Sequence, residues 1–123
     1  MATLSLALFD VVVVPFPFTD RQSSKRRPAL VLSSQLFNRS AAHAVLAMIT
    51  SAEQPSWPGD TSIANLKSAG LTTDCRVRMK VFTLDNRLIV RKAGRLALAD
   101  QKQLRTAWQS LLLVGLKSPF ADR

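Results

Sequence analysis

Cysteine and histidine are almost missing from this chain of 123 residues: Cys75 and His43 are the only examples of each. A lone cysteine excludes an internal disulfide framework and fits a reducing compartment, so a cytoplasmic location is expected. A structural zinc site takes four Cys or His ligands and is excluded for the same reason. Acidic residues are also scarce, 8 Asp and Glu against 17 Lys and Arg, and they are scattered along the chain. That scatter argues against a two-metal carboxylate nuclease, and neither a metal nor any other cofactor is expected. No apolar run reaches the length needed to span a membrane. The run from Leu4 to Phe9 has no basic lead-in and is too short for a signal peptide, so 1–9 reads as a loose N-terminal arm.

What the chain has in excess is positive charge, formally +9. Such a field attracts polyanions, which makes nucleic acid the first partner to consider, ahead of an acidic protein or an anionic surface. With 47% hydrophobic and 20% charged residues, the length suits one globular domain over 1–123.

The densest signal runs from Asp10 to Ser33. Two β-branched apolar runs, Val11–Val14 and Ala29–Leu32, flank a polar loop that carries Arg21, Lys25, Arg26 and Arg27. This reads as a strand, an excursion and a second strand opening at Pro28. The continuous valine run predicts burial on both faces. A third strand follows over His43–Ile49 with Thr50 and Ser51 at its end, then a loop over Glu53–Asp60 that contains Trp57. The segment Gln35–Ser40 reads as a turn or one loose helical turn. Weaker strand signals cover Thr61–Leu66 and Gly70–Thr73. In Asp74–Met79, Cys75, Val77 and Met79 alternate with Arg76 and Arg78, which puts the two arginines on one face. Phe82–Leu84 and Leu88–Lys92 follow, and Gly94 marks a bend. The last element is a helix, with Asp100 and Gln103 as a capping box and a stripe of Leu104, Trp108, Leu111 and Leu112. Gly115 and then Pro119 end it. The expected fold is mainly β, a small bent barrel of five to seven strands with a C-terminal α-helix.

RNA carries its own nucleophile, the 2′-hydroxyl beside each phosphate. A protein can cut it by orienting that group, meeting the charge on the phosphoryl oxygens and protonating the departing 5′-oxygen. Arginine suits this work because its planar fork matches two phosphate oxygens. Arg27 is the first candidate, since the strand root fixes its backbone, and Arg26 or Lys25 would hold an adjacent phosphate. Thr50 offers a hydroxyl at a strand end. His43 lies at the other end of the same strand, roughly 20 Å away, and is read as structural.

The chain resembles the MazF/PemK-like toxins of bacterial type II toxin–antitoxin systems, which share a CcdB-like fold. The resemblance is carried by DVVVVPFPFTD, KRRPALVLS, VLAMITS and FTLDNRLIVRKAGRL, in that order, and by the terminal helix. It implies an SH3-like barrel acting as a homodimer and a metal-independent endoribonuclease that cuts single-stranded RNA. The products would be a 2′,3′-cyclic phosphate and a 5′-hydroxyl. It also implies a small acidic antitoxin as partner. Arg27 would be the acid and phosphate stabiliser, and Thr50 would assist at the scissile phosphate. Arg78 matches an RNA-contacting position, and Lys25, Arg26, Ser51, Arg76 and Phe18 complete the expected RNA-binding set. Three departures stand out: Phe9 where relatives commonly have glycine, Cys75 where many have serine, and Lys80 where many are acidic.

Two other readings use the same features. A non-catalytic nucleic-acid-binding barrel would stack bases on Trp57 or Phe18 and never turn over. A toxin of the same fold that inhibits gyrase would dock its cationic loops on an acidic protein surface. The segments around Arg27 and Thr50 favour the nuclease.

Overall fold

The structure, a computed structural model, describes residues 5–16 and 25–113. Phe18 and Arg21 in the first loop, and Gly115 and Pro119 beyond the last helix, lie outside the described residues. Among the described residues six strands follow one another: β1 Asp10–Phe16, β2 Lys25–Val31, β3 His43–Ser51, β4 Thr61–Ser62, β5 Cys75–Asp85 and β6 Arg91–Arg95. They form a single antiparallel sheet in the order β4-β5-β3-β2-β1-β6, curled into a half-barrel. With a C-terminal helix, α3 (Leu98–Trp108), this is the mainly β architecture expected from the sequence.

The valine run explains why two cores exist. Alternation along β1 sends Val11 to one face and Val12 and Val14 to the other, and all three are fully buried. On the first face Val11 joins Leu30, Ile49, Val77, Leu104 and Trp108, so α3 closes that core. On the second face Val12 and Val14 join Ala29, Val31, Leu46 and Leu84.

Two ladder irregularities bend the sheet. Between β3 and β5 the register passes from Ala47↔Val81 to Ile49↔Val77, so three β5 residues stand opposite Met48. Between β1 and β6 it passes from Val11↔Gly94 to Val12↔Lys92, leaving Ala93 as the extra residue, so Gly94 sits beside a bulge.

Several boundaries differ from the sequence reading. β2 begins at Lys25, three residues before Pro28, because its first part pairs with β1 alone and joins β3 only from Ala29↔Met48. A proline there removes no β3 ladder bond. Of the weak strands over 61–66 and 70–73, only Thr61–Ser62 pairs. The Asn65 side chain accepts a hydrogen bond from the Ser68 amide, and Gly70 takes a φ of 73°. Together they frame a single helical turn, α2 (Leu66–Ala69), which lies between the two weak strand signals and takes in Leu66, the last residue of the first. Gln35–Ala41 is a full short helix, α1, capped by Ser34. The two strands read over 74–84 are one, β5, while Asn86–Leu88 form a 3₁₀ turn ahead of β6.

Asp100 is not a cap. The helix starts after Ala97, and the Asp100 carboxylate accepts from the Ala64 and Asn65 amides at 3.0 and 2.9 Å, tying α3 to the loop after β4. Leu104 and Trp108 are buried as the stripe requires, whereas Leu111 and Leu112 fall in a π-helical turn, Gln109–Leu113, and are exposed. Residues 5–9 are not loose: Leu6 and Phe9 are buried, and the Leu6 carbonyl accepts from Asn38 Nδ2 at 2.8 Å.

Gly70 and Gly94 allow α2 to lie backbone to backbone on β6. A Cβ at Gly70 would collide with the Ala93 carbonyl, and one at Gly94 would collide with the Ser68 carbonyl.

Candidate active site

Aspartates determine which cations remain available. Asp10 is buried and takes Lys92 and Arg95 at 3.3 and 3.2 Å. Asp85 pairs with Arg87 at 2.8 Å, and hydrogen bonds from Arg87 pull its carboxyl down to about 2. Asp60, with a side chain only 4% exposed, takes Arg78 through both oxygens at 3.0 and 3.2 Å and Arg76 at 3.5 Å. The hydrogen bond from Arg78 holds the Asp60 carboxyl below its usual 3.8, against the opposing effect of burial. Among the described residues, Arg26, Arg27, Lys80 and Arg91 have no ion pair. Three of these four lie on β2 and β6, around the end of β1, and Lys80 is on β5.

Arg27 stands opposite Val14 on β1. Continuing the β2–β3 register from Ala29↔Met48 places Arg27 level with Thr50, on the same face of the sheet. Both side chains line a cleft of about 370 Å³, together with Phe16, Met48, Gln54, Arg78, Lys80 and Phe82. Among the described residues no carboxylate lines it. The Arg27 guanidinium lies over the Phe16 ring, 5.0 Å from its centroid, an apolar platform that restrains it without neutralising it.

Arg26 and Ser51, one residue along each strand, face the other way. They line a second cleft of about 340 Å³ with Thr72, Thr73 and Arg91, and Arg27 borders both clefts. A chain of phosphates laid across the end of β2 would meet cations and hydroxyls on either side.

Arg76 and Arg78 do share a face, but their donors are spent locally. Arg76 donates to the Ala52 carbonyl at 2.6 Å, and Arg78 donates to the Pro55 carbonyl at 2.8 Å, besides their bonds to Asp60. They hold the loop between β3 and β4. Lys25 lies on the Arg27 face and is exposed, while Phe18 lies outside the described residues. His43 is exposed at the far end of β3. Sequence reasoning missed Phe16 as the support of Arg27, although period two from Val14 would have found it. It also missed Asp60 and Arg91, whose partners are brought together only by the fold. Among the described residues no three His, Cys, Asp or Glu side chains are grouped to hold a metal ion. No helix there is long and apolar enough to cross a membrane.

These features define a class: a small curled β-sheet protein whose cationic cleft brings an arginine and a strand-end hydroxyl together. Residues 8–112 match the family model of the PemK-like, MazF-like toxin of type II toxin–antitoxin systems, and the chain belongs to that family. The fold is shared with a MazE–MazF complex from Deinococcus radiodurans, with a TM-score of 0.68 and 21% identity over 89% of this chain and 96% of that one. An endoribonuclease from a mycobacterial species aligns with a TM-score of 0.70 and 18% identity, covering 97% and 100% of the two chains. A mycobacterial endoribonuclease in complex with its cognate antitoxin gives 0.67 and 17%, over 88% and 93%. No curated protein sequence matches significantly.

Proposed function

We propose that this chain is the toxin of a type II toxin–antitoxin pair and acts as a metal-independent endoribonuclease on single-stranded RNA. The observation that carries the reading is the shared cleft of Arg27 and Thr50, in which no carboxylate among the described residues neutralises Arg27. The bond from the 2′-oxygen to phosphorus forms as the bond from phosphorus to the 5′-oxygen breaks. The proton of the 2′-hydroxyl leaves to solvent. Arg27 meets the charge that builds on the phosphoryl oxygens, donates a proton to the departing 5′-oxygen and recovers one from water. Thr50 donates its hydroxyl hydrogen to a non-bridging oxygen. Lys25, Arg26, Ser51 and Arg91 hold flanking phosphates, while Arg76 and Arg78 act on RNA through the loop they fix.

Family membership and the endoribonuclease relatives support this assignment. The relatives found with an antitoxin support an antitoxin as partner; a small acidic one suits the net charge of +9, and exposed Leu111 and Leu112 offer an apolar surface to a second copy of the chain.

Incubation of the protein with a long unstructured RNA in EDTA tests the proposal. Expected are discrete fragments with 5′-hydroxyl and 2′,3′-cyclic phosphate ends, and no cut where the scissile ribose is replaced by 2′-deoxyribose. Intact RNA, or fragments with 3′-hydroxyl ends, would refute it.

A further inference from the structure

Trp57 is a large aromatic on an exposed loop, with 45% of its surface open to solvent. Loops rich in Pro, Ser and Gly are ordinarily poor platforms, because ordering them on binding costs entropy. This one is already ordered. The Trp57 amide donates to Asp60 Oδ2 at 2.9 Å, and the Asp60 amide returns a bond to the Trp57 carbonyl at 3.1 Å. Asp60 is itself gripped by Arg78 and Arg76, which also hold the carbonyls of Ala52 and Pro55. Thus the aromatic is mounted on β5 through side chains rather than left on a tether.

The ring also has a defined setting. Arg78 lies 4.9 Å and Lys80 5.6 Å from its centroid. Both cations line the cleft that contains Arg27 and Thr50, as does Gln54 from the same loop. An indole held against two cations beside the cationic cleft is suited to a nucleobase, since any base offers a π-face while its phosphate goes to Lys80 and Arg27, Arg78 being held by Asp60.

We propose that Trp57 forms a nucleobase-stacking subsite at the edge of the Arg27–Thr50 cleft, with Asp60 as the residue that positions it. This rests on the ribonuclease reading for the identity of the ligand as single-stranded RNA. Trp57 would hold one base near the cut, so that affinity and the choice of cleavage site depend on it while the chemistry remains with Arg27.

The test uses the tightest-binding of a set of 2′-O-methyl oligonucleotides tiled along the RNA of the cleavage assay, and a series of the same oligonucleotide with one base at a time removed. Binding is followed by tryptophan fluorescence and anisotropy. The wild type should show quenching that Trp57→Phe removes, because Trp108 is buried. Trp57→Ala should weaken binding about 5- to 150-fold, the range for loss of one stacked base. One abasic position should weaken the wild type yet leave Trp57→Ala unaffected. Trp57→Phe, which keeps a ring, should recover most of the affinity, and thermal melting separates loss of binding from loss of fold. Equal affinity of Trp57→Ala and wild type, or an abasic penalty identical in both, would overturn the subsite. The two readings fail separately: cleavage with no role for Trp57 rejects only the subsite. Quenching and an abasic effect with no cleavage reject only the nuclease.

Discussion

Phe9 occupies backbone that ordinarily selects glycine, with a φ of 74°. Glycine is what the family resemblance leads one to expect at this position, so the departure visible in the sequence marks a local strain. The strain is offset by packing, since the ring is buried and Arg105 lies over it at 5.0 Å. Phe9→Gly would relieve about 1–2 kcal/mol of backbone cost but forfeit about 3–5 kcal/mol of aromatic burial. A net loss of stability is therefore expected in urea denaturation. At the cleft, Arg27→Ala should lower kcat/KM by about 100- to 1,000-fold, while affinity for a 2′-deoxy substrate analogue falls far less. Arg27→Lys should recover only part of the rate, because a single ammonium cannot match two phosphate oxygens. Equal losses in cleavage and binding would make Arg27 a docking residue. That Arg27 and Thr50 lie close together was legible in the sequence because they fall near the adjoining ends of β2 and β3, where register sets which residues meet. Phe18 lies beyond that kind of inference, in the loop whose conformation strand periodicity does not determine.

Between β3 and β4, one buried carboxylate organises a whole loop. Asp60→Asn keeps the shape but removes the charge that Arg76 and Arg78 share, and should destabilise the fold by roughly 2–3 kcal/mol. The pH dependence has a definite sign. The folded carboxyl lies below 3.8, so its contribution is fully present above that value and is lost as pH falls through the lowered folded value. The stability gap between wild type and Asp60→Asn should therefore hold from pH 7 to about 5 and narrow below about pH 4, as read by urea melts across pH. A gap that stays constant down to pH 2.5 would remove Asp60 as the hub. Alternation in Cys75–Met79 showed that Arg76 and Arg78 share a face. It could not show their partner, because Asp60 lies 18 residues before Arg78 and a loop fold brings it back. For a similar reason the stretch over 61–73 misled: its β-branched residues suggest strand, but the Asn65 cap and Gly70 stop govern four residues between them.

At the scale of the molecule, aspartates neutralise Arg76, Arg78, Arg87, Lys92 and Arg95, and the described cations without an ion pair divide between the clefts and other faces, where Arg39, Lys67, Lys102 and Arg105 lie. Among the described residues Arg26, Arg27, Lys80 and Arg91 line the two clefts without an ion pair, and exposed Lys25 stands on the Arg27 face beside them. If each of these five cations meets one phosphate, the logarithm of RNA affinity should fall with the logarithm of salt concentration with a slope of about −3.5. Arg91→Ala should make that slope shallower by about 0.7, whereas Arg87→Ala, already paired with Asp85, should not change it. A slope near zero would show that the charge is not used for RNA. The overall architecture was legible because strong strand runs and one amphipathic helix dominate the chain. The bulges that curl the sheet were not, since each is an agreement between two strands.

The backbone contact between Gly70 and Gly94 has a genetic consequence. Neither position accepts even a methyl group, and neither offers a side chain to RNA, although Gly70 borders the second cleft. In a selection for cells that survive expression of this toxin, substitutions at Gly70 and Gly94 should be recovered alongside those at Arg27. Survivors altered at Arg27 should accumulate folded protein, and those altered at the glycines should not.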